Sequence, residues 1–132
     1  MESNKITKNE PFVSIIIINF NGGEILHECI NSIYQTVMNR FEIILIDNKS
    51  SDNSHEKCKK KWSDIKLIQN DENIGLTARN IGIDNANGEF IVFLDSDTIV
   101  TKGWLENLIK SFRKNGDGLY QPKLLEKNRP DV

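Results

Sequence analysis

Asp95 and Asp97 are the residues of this chain best placed by type and spacing to do chemistry. They follow an apolar run, Phe90-Ile91-Val92-Phe93-Leu94, that reads as a strand buried on both faces. In an extended chain residues two apart point the same way, so both carboxylates can face one spot. Two adjacent anions call for a positive group between them. A hard divalent cation, Mg²⁺ or Mn²⁺, chooses such oxygen ligands and keeps open positions that phosphate oxygens fill. An isolated Asp-x-Asp is also ordinary turn and helix-cap chemistry, so its meaning depends on what shares its edge.

The elements that must position the pair alternate along the chain. Residues 1–11 read as a loose tail and residues 12–20 as a β-branched central strand, broken by Asn21-Gly22-Gly23. Ile25, Leu26, Cys29, Ile30, Ile33 and Tyr34 recur at helical spacing over residues 24–36, which makes Cys29 a packing residue. A second strand over 41–46 ends in Asp47-Asn48. Ser50, Ser51 and Asp52 offer N-caps to a short polar helix reaching Trp62, with His55 and Lys59 to Lys61 on its solvated face. A short strand at 65–69, a turn-rich loop and a helix over 77–86 lead to the strand that ends in Asp95. Leu105, Leu108, Ile109 and Phe112 mark a last helix, with Thr101 as N-cap and Asn115-Gly116 as stop. Residues 119–125, interrupted by Pro122, read as a fifth, edge strand.

This β-α alternation predicts a three-layer α/β/α domain with a mainly parallel sheet. Ligands of such sheets bind beyond the carboxyl ends of the strands, near the switch in strand order. Asn19 and Asn21, Asp47 and Asn48, and Asp95 and Asp97 all follow strands at that edge. A carboxylate such as Asp47 can accept a hydrogen bond from the ring N–H of uracil, thymine or guanine.

Composition bounds the function classes. The chain has 132 residues, 38% hydrophobic and 27% charged, which suits one domain with its own core. A net charge of −2 gives no electrostatic signature of nucleic-acid binding. Two cysteines far apart in sequence spell neither a zinc site nor a disulfide framework. The polar first ten residues are no signal peptide, and no apolar run is long enough to span a bilayer, so a cytoplasmic protein is expected, touching a membrane only through regions not in this chain. The first turn, Asn19-Phe20-Asn21-Gly22-Gly23, has no Gly-x-Gly-x-x-Gly, and no P-loop occurs. Any phosphate is therefore expected to be neutralised by a metal rather than cradled by glycines.

These segments resemble the nucleotide-binding part of an inverting family 2 glycosyltransferase of the GT-A fold, a Rossmann-like nucleotide-diphospho-sugar transferase architecture. The resemblance is carried by Val13 through Asn21, Glu42 through Asn48 with Ser50, Ser51 and Asp52, Asn73-Ile74-Gly75 leading to Ala78-Arg79-Asn80-Ile81-Gly82, and Ala86 through Asp97. They cover about residues 12–100 in the family's order. The first strand end, Ile18-Asn19-Phe20-Asn21, is closer to the form of rhamnosyltransferase-like members than to Pro-Thr-Tyr-Asn. The resemblance implies that Asp47 binds the base, Asn19, Phe20 and Asn21 line the nucleoside pocket, and Arg79 sits near the diphosphate. It implies that Asp95 and Ser96 approach the nucleotide, with Asp97 as main metal ligand and Asp95 beside it. The implied donor is a UDP-, dTDP- or GDP-linked sugar and the implied acceptor a saccharide or lipid-linked hydroxyl, as in polysaccharide or glycoconjugate synthesis.

The family's catalytic base follows the fifth strand, where this chain offers only Glu126 and Asp131 without a matching motif. No base is assigned, and residues 12–132 are expected to form the donor-binding part of a longer enzyme, inactive in transfer alone. Two alternatives stand beside this. A haloacid-dehalogenase-like phosphatase also uses strand-Asp-x-Asp with Mg²⁺, but places Thr or Val where this chain has Ile99, and on the first strand. A non-catalytic nucleotide-binding module is compatible with the same motifs.

Overall fold

The computed structural model describes residues 12–37 and 40–121. Strands β1 (Phe12–Asn19), β2 (Arg40–Asp47), β3 (Lys66–Gln69) and β4 (Phe90–Asp95) alternate with helices α1 (Gly23–Thr36), α2 (Ser54–Lys61), α3 (Ala78–Asn85) and α4 (Trp104–Asn115). A 3-10 turn, Gly75–Thr77, leads into α3. The sheet is parallel, in the order β3-β2-β1-β4.

The period of two along each strand separates two cores. Val13, Ile15 and Ile17 of β1, with Ile43 and Leu45 of β2, face α1 and α4 together with Leu26, Ile30, Ile33 and Leu105. Ile16, Ile44 and Ile46 face the other way, onto Ala78 of α3. Both faces of β1 and β2 are thus covered, as their continuous β-branched runs require, and each fully buried isoleucine there contributes about 1.5–3 kcal/mol. Gly82 lets α3 settle on β1: a Cβ at that position would lie 2.5 Å from Ile16 Cγ2.

At the opposite end of the strands Glu42 ties the α3–β4 connection to the sheet. Its Oε1 accepts from the Ser14 hydroxyl at 2.6 Å and from the Asn87 amide at 2.7 Å. The Gly88 amide donates to Ser14 Oγ at 2.8 Å.

Several expectations are corrected. β4 is not buried on both faces. It is an outer strand of the described sheet, and only Phe90, Val92 and Leu94 pack on the larger core. Ile91 and Phe93, on the opposite face, are each 41% exposed, because α3 covers β1 and β2 instead. His55 is buried at 4% exposure rather than on a solvated face, and Lys59 turns back to the carbonyls of Ser63 and Ile65. Asn53, in the left-handed region, precedes α2, and Gly103 rather than Thr101 precedes α4. Leu119 to Gln121 have no regular structure, and the rest of the expected fifth strand lies outside the described residues, as do residues 1–11, Glu126 and Asp131. No helix among the described residues is long and apolar enough to cross a membrane.

Candidate donor site at the carboxyl edge of the sheet

The edge is built from three strand ends. β1 and β2 run in register, and their last residues, Asn19 and Asp47, are partners. Both side chains turn inward, at 0% and 1% exposure. Asn19 Nδ2 donates to Asp47 Oδ1 at 2.9 Å and to Ser54 Oγ at 2.8 Å, while its Oδ1 accepts from the Gly22 amide at 3.1 Å. Asp47 Oδ1 also accepts from the Ser50 hydroxyl at 2.6 Å, and Oδ2 from the Ser50 amide at 2.8 Å. His55 Nδ1 lies 3.3 Å from the same carboxylate. Three of the roughly four acceptor positions of the carboxylate are thus filled from within the chain, and one on Oδ2 is left. The geometry makes Asp47 the anchor of the loop that follows β2.

The two loops are laced together further out. Asn21, at φ 51°, accepts from the Ser51 amide at 2.7 Å and donates its own amide to Ser50 Oγ at 2.9 Å. The Gly23 amide donates to Asp52 Oδ2 at 2.9 Å. Hydrogen bonds from the Ser54 hydroxyl and amide hold the Asp52 carboxyl below its usual range. Asn48 is buried too and joins β2 to the next loops, donating to the Gly75 carbonyl at 3.2 Å and accepting from Asn70 Nδ2 at 2.9 Å. Of the Asn19–Asn21 segment, the Phe20 ring is the group that projects, at 53% exposure.

The third strand end is different. Asp95 closes β4, and the Thr98 amide donates to its carbonyl at 3.0 Å, so the chain turns at Ser96-Asp97 instead of running on extended. A turn, not the strand pleat, brings the two carboxylates to one corner. Both are exposed to solvent. Helix α1 anchors this turn from below: Cys29 Sγ lies 3.6 Å from the Asp95 carbonyl, and Ser32 Oγ accepts from the Val100 amide at 3.1 Å. Burial pushes the Cys29 thiol up to about 12, in keeping with its packing role.

Asp95, Ser96, Asp97 and Arg79 border one cleft of about 300 Å³, floored by Ile16, Ile18 and Leu94 and flanked by Leu76 and Phe93. It opens between the carboxyl ends of β1 and β4, on either side of which the strand order runs outward in opposite directions, where ligands of open parallel sheets bind. Arg79 Nη2 stands 4.0 Å from Asp95 Oδ1. The structure thus gathers Arg79, Asp95, Ser96 and Asp97, and sets Asn19, Asn21 and Asp47 apart as a supporting lattice. Ser54 and Ser32 were not singled out by sequence, and Ser50 was read there as a helix cap. A serine seven residues past the end of β2 is the available signal for Ser54.

A model of glycosyl transferase family 2 matches residues 14–131. The chain belongs to this family. It is 29% identical over 117 residues to the glycosyltransferase AglE of Haloferax volcanii, a match covering 84% of this chain and 38% of that protein. Staphylococcus aureus TarS 1-349, solved in complex with UDP-GlcNAc, superposes with a TM-score of 0.68 at 25% identity, covering 83% of this chain and 37% of that one. The mannosyltransferase PcManGT of Pyrobaculum calidifontis, solved with GDP-Man and Mn²⁺, gives a TM-score of 0.72 at 22% identity, covering 82% and 35%. The chain therefore spans little more than a third of the length of these relatives. The fold is the expected GT-A-type α/β/α architecture, and family membership sets the phosphatase alternative aside.

Proposed function

We propose that this chain supplies the donor side of a glycosyltransferase, binding a nucleoside-diphosphate sugar with its diphosphate in the cleft between β1 and β4. The observation that carries this is the convergence of Asp95, Asp97 and Arg79 on that cleft. TarS, which shares the fold at 25% identity and is solved with UDP-GlcNAc, supports the choice of ligand class.

The two aspartates fit a divalent cation, Mg²⁺ or Mn²⁺. They are exposed, hard oxygen donors on one turn, too few to complete a coordination shell, so phosphate oxygens and water fill the rest. Asp97 is the main ligand, with Asp95 beside it. The bound cation supplies neutralisation of the charge that grows on the leaving diphosphate. Arg79 adds a fixed positive charge from the opposite wall. Phe20 offers an exposed ring on which a base can stack, and the Asn19–Asp47 lattice holds its loop in place. Transfer to a saccharide or lipid-linked hydroxyl proceeds with inversion, the proton leaving to a carboxylate outside the described residues.

Calorimetric titration of UDP, dTDP and GDP, with and without Mn²⁺, tests this. At least one binds in a metal-dependent manner, and Asp97→Ala abolishes the metal dependence. If none binds, or if Asp97→Ala changes nothing, the donor site is not here.

A further inference from the structure

We infer that Phe93 is a positioning residue that holds the Arg79 guanidinium over the mouth of the cleft, so that it meets the donor diphosphate already oriented. This rests on the donor-site reading above and adds to it the means by which its cation is fixed.

Phe93 precedes Asp95 by two residues on β4, so both side chains rise from the same face of the strand. That face is bare: Phe93 is 41% exposed, an unusual position for a phenylalanine in a parallel strand. What lies on it is Arg79, whose guanidinium carbon is 5.1 Å from the ring centroid. This is inside the range at which an aromatic face attracts a cation, and arginine is the cation that most often uses it. The other neighbour, Asp95 Oδ1, is 4.0 Å from Nη2, too far for a hydrogen bond. The carboxylate therefore contributes attraction without direction, and the ring supplies the surface that locates the group. Arg79 sits in the first turn of α3, which Gly82 and Ala78 pack against β1, so the base of its side chain is fixed as well. With both ends held, a long side chain loses less freedom when a ligand arrives.

The test uses the whole chain with Mn²⁺ and whichever of UDP, GDP and dTDP binds it tightest. Phe93→Leu weakens binding about threefold to fivefold, the size of one exposed cation–aromatic contact. Phe93→Tyr, which keeps the ring, stays within about twofold of the parent. Arg79→Lys, which keeps the charge and loses the planar group without touching the strand, weakens binding about as much as Phe93→Leu. In a double-mutant cycle Phe93→Leu adds nothing once Arg79→Gln is present, an outcome that general loosening of the strand would not give. If Phe93→Leu leaves affinity unchanged while Arg79→Gln weakens it, or if Phe93→Tyr binds as poorly as Phe93→Leu, the positioning role is overturned. If Arg79→Gln itself has no effect, or no diphosphate binds the parent, the failure lies in the donor-site reading.

Discussion

Asn19 and Asp47, register partners at the ends of β1 and β2, are joined by a 2.9 Å hydrogen bond sealed from solvent. Asn19 then reaches across to Ser54 and accepts from the Gly22 amide of its own loop, while Asp47 holds Ser50 in the loop after β2. The pair thus ties both loops into one internal lattice. Asp47→Ala strands the donors of Asn19 and Ser50 and costs about 2–4 kcal/mol of unfolding free energy, measured by urea denaturation. Asn19→Ala acts in the same direction, and the two losses combine to less than their sum. Full stability in Asp47→Ala would contradict the anchoring role.

The Glu42 knot gives the fold an acid sensitivity. Burial raises the Glu42 carboxyl, but hydrogen bonds from Ser14 and Asn87 and the charge of Lys66 outweigh it, leaving its pKa below the ordinary 4.5. A carboxyl depressed in the folded state stabilises above its unfolded pKa, and that contribution is lost as pH falls through the folded value. Stability therefore declines as the medium is acidified below about 4.5, and Glu42→Gln shows a shallower decline over the same window. Parallel acid-unfolding curves for the two proteins would contradict this.

What was legible in the sequence follows from which signals are local. Strands β1 and β2 and helices α1 and α4 announce themselves because β-branched runs and i, i+3, i+4 spacing are properties of neighbouring residues. Asp95 and Asp97 are legible for the same reason, standing where an apolar run stops. The lattice that joins Asn19 to Asp47 is not, because a polar residue at a strand end looks alike whether or not it bonds to the neighbouring strand. The bare face of β4 depends on strand order and on where α3 lands, both set by contacts far apart in sequence. His55 sits in an eight-residue helix, too short and too polar for periodicity to choose its inner side.

Both thiols are protected by the fold. Burial lifts Cys29 to about 12 and Cys58 to about 11, from an ordinary 9.0. Both shifts leave far less of the reactive thiolate at a given pH. Iodoacetamide at mildly alkaline pH therefore labels both cysteines of the native chain far more slowly than those of the urea-unfolded chain. Mass spectrometry of timed aliquots follows each site, and rapid labelling of Cys29 in the native state would place it at the surface.

Gly82 is where α3 and β1 approach most tightly, so a single methyl group tests the packing of the helix that carries Arg79. In an isolated helix alanine is better than glycine by about 1 kcal/mol. Here the added carbon meets Ile16 Cγ2 at 2.5 Å and Cδ1 at 2.9 Å. Ile16 is itself 1% exposed, so displacing it disturbs the packing of the sheet. Overpacking of this kind costs about 1–3 kcal/mol, which outweighs the propensity gain, so Gly82→Ala is destabilising by about 1–2 kcal/mol in urea denaturation. Ile16→Ala removes the clashing atoms. In the Ile16→Ala background the added methyl refills part of the cavity, and Gly82→Ala becomes neutral or stabilising. A Gly82→Ala protein more stable than the parent would mean that α3 stands further from β1 than the structure has it.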